Sequence, residues 1–298
     1  LAAKRMDGYR WNSLSHEWVG YISGEEQVRN LREETKLWSA GADEEGYLDT
    51  AYGRFWRRYP LPEASDRLPG GSWPDPDHPR VETETTPDGE TRRVFDQLGH
   101  VLDTLEETPN SRRMVINAWH PANAAVSTLP PCHYTFVFNV PDDRLNVHLT
   151  QRSGDIALGV PFNLAAYSLL ATAVANRTDL EVGSFGHTIV DAHVYCGAGD
   201  RGSWYETHLP ELQARLQAVE DRKEYLDVRE WIDDAAPEEP EEQAGYDHVP
   251  GLLTQLSRHP RDRPRIEVAD KSLDELEHDD IRLEEYDPAP GISFAVAE

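Results

Sequence analysis

The chain has 298 residues, enough for one large domain or two small ones and ample for a sizeable core, and no apolar run approaches the length a membrane helix needs. Its 55 acidic residues outnumber 29 basic ones for a net charge of -26, which excludes a protein that tracks nucleic-acid phosphates. The basic set is 25 Arg and only four Lys, and an acidic, Lys-poor surface suits a protein held soluble in concentrated salt, general acidity with an Arg-rich bias being the alternative.

Two cysteines, Cys132 and Cys196, cannot build a disulfide framework, and no leader or lipidation motif is visible, so a cytoplasmic protein is expected. The chain starts at Leu1 in structured-looking sequence, which leads us to expect a missing N-terminal segment. Residues 15–58 are dense in Trp, Tyr and Gly, with a helix expected near Glu25–Trp38. Residues 60–92 are rich in Pro, Asp, Glu and Gly and read as a long surface loop or small inserted subdomain. From Arg93 the spacing of Phe95, Leu98, Val101, Leu102 and Leu105 predicts a helix that Pro109 stops. Tyr134–Val140 and the alternating Leu145, Val147 and Leu149 predict two strands joined by a turn at Pro141-Asp142-Asp143.

Residues 161–176 are apolar nearly all round and predict a buried helix. Thr188–Tyr195 reads as a strand and 204–231 as helical. Asp233–Asp247 carries seven carboxylates among prolines and reads as a solvated linker or excursion rather than a core element, within an acidic insertion spanning 197–248. The last segment returns to strand-like spacing at Ile266, Val268, Ile281 and Leu283 and ends in an apolar tail. We find no internal repeats.

Gly197-Ala198-Gly199-Asp200-Arg201-Gly202 fits the dinucleotide pattern G-x-G-x-x-G between a predicted strand and a predicted helix. No apolar strand follows to close a βαβ unit, so the glycines read as a flexible turn. His193 and Cys196 lie three apart with no second pair to complete a tetrahedral metal site, leaving His193 as a polar group at a strand end. Cys132, directly after Pro130-Pro131, is either a buried free thiol or a nucleophile. Because adjacent strand residues face opposite ways, His133 is a poor base for it, and Arg152 or Arg112-Arg113 would instead lower its pKa.

Several blocks in order are similar to the thymidylate synthase family. They are Pro131-Cys132-His133, then Gln151-Arg152-Ser153-x-Asp155 with Leu158-Gly159-x-Pro161-Phe162-Asn163, then Asp191-x-His193-x-Tyr195. Upstream stand Tyr52-Gly53-x-x-Trp56-Arg57 and Ser111-Arg112-Arg113; downstream, Tyr286-Asp287-Pro288-x-Pro290-Gly291-Ile292. The acidity suggests a haloarchaeal member.

The resemblance implies an α+β fold in which helices cover one face of a mixed β-sheet and the other face meets a second subunit in a homodimer. It implies a single catalytic domain over 1–298, and reductive methylation of dUMP to dTMP with 5,10-methylenetetrahydrofolate and no metal. Cys132 would attack C6 of the uracil. Glu17 would move protons through ordered water with Tyr52 in its network, and Asn163 would read the uracil edge. Arg152 and Ser153 would hold the phosphate, Arg112 and Arg113 reaching across the dimer to the partner's phosphate. His193 and Tyr195 would bond the sugar 3'-hydroxyl. Asp155 would border the nucleotide and contact the folate pterin, with Trp38 and the tail residue Ala297 also at the folate. Gly41 stands where the family usually has a second Trp, which keeps open a nucleotide hydroxymethylase, and the missing N-terminal arginine keeps open an impaired nucleotide-binding homologue.

Overall fold

The structure is a computed structural model that describes residues 9–28, 42–48, 51–62, 77–86, 89–127 and 129–296. Lys4-Arg5, Trp38, Gly41, Ala297 and most of the helix expected at 25–38 lie outside the described residues.

Helix α1 (Tyr9–Ser23) buries Trp11, Leu14, Trp18 and Ile22, spaced three or four apart along one stripe. Gly24 then adopts a left-handed φ of 75°, which ends the helix where the sequence reading expected one to begin. Gln27 instead bridges to Tyr47. Helix α2 (Tyr52–Arg57) lies close against α1: a Cβ on Gly53 would come within 2.6 Å of the Tyr21 carbonyl oxygen and 2.7 Å of that of Gly20. Only glycine permits that approach.

Strands β1 (Tyr59–Pro60), β2 (Val81–Thr85) and β3 (Thr91–Phe95) form an antiparallel sheet in the order β1-β3-β2. Part of the expected loop at 60–92 is therefore sheet, and Arg93–Phe95 is strand rather than helix. Helix α3 (Gln97–Glu107) begins only after Asp96, whose side chain accepts from the Gly99 N–H at 2.9 Å. It buries Leu98, Val101 and Leu105 as expected.

The main sheet holds β4 (Val115–Asn117), β5 (His133–Asn139), β6 (Arg144–Asp155) and β7 (Glu181–His193) in chain order, with the short helix α4 (Pro121–Val126) after β4. The β5–β6 turn places Asp142 and Asp143 at φ 51° and 59°, positions that Asp tolerates better than most residues. β4, β5 and β6 are antiparallel; β6 and β7 run parallel, so a crossover must join them. That crossover is α5 (Gly159–Arg177), whose Ala165, Tyr167, Leu169, Leu170, Ala173 and Val174 are buried between the sheet and neighbouring elements. β7 starts well before the predicted Thr188. The sheet's other face is open, with Val115 of β4, Val137 of β5 and Val190 of β7 exposed.

Beyond β7 come α6 (Gly199–Gln217), α7 (Glu224–Ala235) and α8 (Val249–Leu256), which bury Tyr205, Leu212, Val228, Ile232 and Leu253 in a second cluster. The helix expected over 204–231 is thus two helices, parted at residues 218–223. The acidic stretch expected to be a solvated linker ends in a buried group. Asp247, with its side chain 1% exposed, pairs with Arg201 at 2.8 Å and accepts from the Tyr205 hydroxyl at 2.8 Å. Cys196 and Asp247 bridge each other, so residues 197–246 leave and rejoin the fold at one point. Among the described residues no strand closes a βαβ unit after the dinucleotide pattern: β8 (Arg265–Val268) pairs antiparallel with β9 (Ile281–Glu284) as a separate hairpin.

Candidate active site

Register builds the site. His133 of β5 pairs with Gln151 of β6, and the Arg152 N–H donates to the Cys132 carbonyl at 2.9 Å, which sets Cys132 beside Arg152. On the other side Ser153 pairs with Asp191, and Asp155 with His193. Cys132, Arg152, Ser153, Asp155 and His193 therefore gather where the two parallel strands end, the usual place for ligands in such units. Asn163 lies in the first turns of α5, next in the chain, half-buried, its side chain without a hydrogen bond to another described residue.

Arg152 does more than carry charge. Its Nη2 donates to the Pro130 carbonyl at 2.7 Å and its Nε to that of Pro131 at 3.2 Å, so the guanidinium clasps the turn that presents the cysteine. Its remaining N–H groups have no hydrogen-bond partner among the described residues. Burial pushes the Cys132 thiol above its ordinary pKa, and the Arg152 guanidinium draws it back only in part. The Arg152 charge thus acts in the expected direction, and desolvation outweighs it.

Tyr52, 5% exposed, places its hydroxyl 2.7 Å from the Cys132 backbone nitrogen and accepts that N–H. Its ring stacks on His133 at 3.6 Å. His133 is buried against the Tyr167 hydroxyl at 2.9 Å, and burial lowers its pKa to about 3. The imidazole stays neutral and faces the core, as strand alternation requires. On α1, Glu17 accepts from the Tyr21 hydroxyl at 2.5 Å, and the Tyr21 ring meets Tyr52 edge-on at 5.3 Å. A run of contacts thus leads from Glu17 through Tyr21 and Tyr52 to the cysteine. Tyr21 escaped the sequence reading, although it lies one helical turn from Glu17.

His193 Nδ1 lies 3.5 Å from the Ser153 hydroxyl, and the Tyr195 ring meets the His193 ring edge-on at 5.4 Å. The Asp155 carboxylate, 14% exposed, accepts from the Ala157 N–H at 2.9 Å. Burial raises its pKa, but His248 and the Ala157 and Leu158 N–H groups more than offset that, so it titrates below the usual range. Beside it Phe294 packs with Ala157, flanked by Leu158, Leu252 and Ile292. A carboxylate at the edge of an apolar wall fits a flat heteroaromatic ligand that carries N–H donors. Arg112 and Arg113 are exposed, on the segment leading into β4. Among the described residues no three His, Cys, Asp or Glu side chains cluster to hold a metal.

The family profile described as thymidylate synthase matches residues 1–298. The chain belongs to that family. It is 66% identical, over 298 residues, to a protein named thymidylate synthase from Haloferax volcanii; the match covers all of this chain and 84% of that relative. Membership agrees with the mixed sheet, its helical cover and the gathering of residues from separate blocks of sequence at one end of β6 and β7. His248 was missed altogether: it follows the acid-rich stretch in sequence and reaches Asp155 only through the bridge between Cys196 and Asp247.

Proposed function

We propose that this chain reductively methylates dUMP to dTMP, taking both the one-carbon unit and the hydride from 5,10-methylenetetrahydrofolate. The observation that carries the reading is the setting of Cys132: a thiol on a turn clasped by Arg152, its N–H held by Tyr52, in a chain that matches the family over its whole length.

Each residue then has a task. Arg152 and Ser153 take the 5'-phosphate, for which the unused N–H groups of the guanidinium and the hydroxyl supply donors. His193 and Tyr195 take the 3'-hydroxyl. The Asn163 amide accepts from N3–H and donates to O4, a pairing that uracil matches and cytosine does not. The Cys132 thiol gives its proton to water as sulfur adds to C6, and the C5=C6 electron pair moves onto O4 as an enolate. C5 is then the carbon nucleophile. Glu17, through ordered water, removes the C5 proton after the new carbon–carbon bond forms. Loss of that proton drives the folate nitrogen off the new CH2 group and leaves a methylene double-bonded to C5. Hydride from the tetrahydropterin adds to that carbon, and the displaced electron pair restores the C5=C6 double bond as it expels the Cys132 thiolate. The folate supplies carbon and hydride and departs as dihydrofolate; Asp155 faces its pterin, and the wall at Phe294 excludes water.

The open face of the main sheet, with Val115, Val137 and Val190 exposed, supports a homodimer through that face, Arg112 and Arg113 serving the partner's phosphate. A cytoplasmic, salt-adapted protein fits two free cysteines and a net charge of -26. Among the described residues no helix is long and apolar enough to cross a membrane. The test is product analysis. With dUMP and methylenetetrahydrofolate in molar KCl, dTMP and dihydrofolate should form one for one, and Cys132→Ser should form neither. Hydroxymethyl-dUMP as product, or dUMP binding without turnover, would refute the reading.

A further inference from the structure

The imidazole of His248 is fully buried where several segments meet. Its backbone N–H donates to the Tyr195 carbonyl at 2.9 Å, and Nε2 lies 2.9 Å from the Ala295 carbonyl oxygen. The ring meets Tyr195 edge-on at 5.5 Å and packs on Phe294 at 4.9 Å. Nδ1 is buried with no hydrogen-bond partner, and faces Asp155 Oδ1 at 3.9 Å.

A carbonyl only accepts, so Nε2 must carry hydrogen. In the neutral ring Nδ1 would then be a bare acceptor aimed at a carboxylate. Protonation turns it into a donor. The charged and titratable groups around the ring are Asp155 from β6, Tyr195 after β7, Asp247 before it in the chain, and Arg201 of α6, which with the Tyr205 hydroxyl takes up Asp247. Burial works against the imidazolium, but Asp155 and the Ala295 carbonyl more than compensate, so the ring titrates above its ordinary value.

We propose that His248 is a positioning residue that ties the carboxylate facing the folate to the C-terminal strap, residues 292–296. As an imidazolium it holds the Ala295 carbonyl through Nε2–H and closes the 3.9 Å gap to Asp155 through Nδ1–H as the strap seats on bound folate. The inference rests on the reading that Asp155 and the strap contact folate.

Two isosteric variants divide the tie. A glutamine amide nitrogen overlays Nε2 and an asparagine nitrogen overlays Nδ1, so His248→Gln keeps the strap bond and His248→Asn keeps the Asp155 bond. Each should raise the folate KM by about tenfold, the loss of one hydrogen bond, and leave the dUMP Kd within about twofold of wild type. In the wild type the folate KM should climb from pH 6 to 8.5 as the imidazolium is lost, and in both variants it should be flat. Asp155→Asn separates the two levels of argument. If it raises the folate KM while both His248 variants match wild type, the tie is refuted and the folate reading stands. If Asp155→Asn leaves the folate KM unchanged, the reading beneath the proposal fails as well. Should the variants not bind dUMP at all, the wild type decides alone: a folate KM constant from pH 6 to 8.5 overturns the proposal.

Discussion

Tyr52→Phe isolates one atom. It removes the hydroxyl oxygen 2.7 Å from the Cys132 nitrogen and leaves the ring stacked on His133 at 3.6 Å. Packing is nearly conserved, so the cost is that of a buried N–H left without an acceptor, about 1–3 kcal/mol. For a domain of this size that lowers Tm by about 2–6 °C. The same N–H fixes the backbone that presents the thiol, and a looser turn should cost roughly 10–100-fold in kcat. Tyr167→Phe is the matched control. Its hydroxyl is as deeply buried and bonds His133 at 2.9 Å, but reaches neither the cysteine nor Glu17. Both variants should lose comparable Tm in calorimetry, and only Tyr52→Phe should slow dihydrofolate release measured by absorbance. Equal kcat for Tyr52→Phe and Tyr167→Phe would show that the bond to Cys132 is structural alone and refute the reasoning.

Further outcomes follow from the same geometry. Alkylation of Cys132 by iodoacetamide should accelerate with pH through a midpoint above the ordinary thiol value, and Arg152→Gln should move it higher; a plateau by pH 7 contradicts the burial argument. The Asp155–His248 pair should stabilise the fold in a pH window. Asp155 titrates low, so its share is lost as pH falls through its depressed pKa; His248 titrates high, so its share is lost as pH rises through its raised pKa. The stability difference between wild type and His248→Gln should therefore peak near pH 5–6 and vanish by about pH 9 in urea titrations; a difference that does not change with pH contradicts it. Asp247→Ala strands the buried Arg201 guanidinium and should cost about 3 kcal/mol, seen as an earlier unfolding step in the fluorescence of Trp204 and Trp231. Below about 0.5 M salt the proposed homodimer should loosen as self-repulsion goes unscreened, visible by sedimentation as a lower mass.

What could be read from the sequence depended on how strongly each segment repeats. Helix α5 was plain because apolar residues fill its whole circumference, and β5 and β6 because alternation matches their pleat. The first half of β7 was not, since Gly183 and Gly186 interrupt any alternation and its open face is unburied within one subunit. Strand β2 reads Val-Glu-Thr-Glu-Thr and carries too little apolar signal to separate it from a loop. The stripe of Trp11, Leu14, Trp18 and Ile22 did have helical spacing, but the neighbouring aromatics and glycines obscured it. Cys132, Arg152, Asn163 and Asp155 were legible through short blocks in a fixed order. Neither Tyr21 nor His248 was: each matters because of what folding brings against it, the one α2, the other the end of β6 and the strap.

The bridge between Cys196 and Asp247 has a consequence for how such a protein can diversify. Tethering the ends of a roughly 50-residue excursion costs about 3.5 kcal/mol of chain entropy, and lengthening it further adds little, since the cost grows only logarithmically. The internal cluster of Tyr205, Leu212 and Ile232 and the Arg201–Asp247 pair offset that cost locally. Tyr195 and His248, joined backbone to backbone at 2.9 Å just inside the clasp, are thereby insulated from whatever the excursion becomes. Natural variation or a designer can rewrite that stretch, or swap it for a tight turn, as an exchangeable cassette, and the spacing between Tyr195 and His248 stays put.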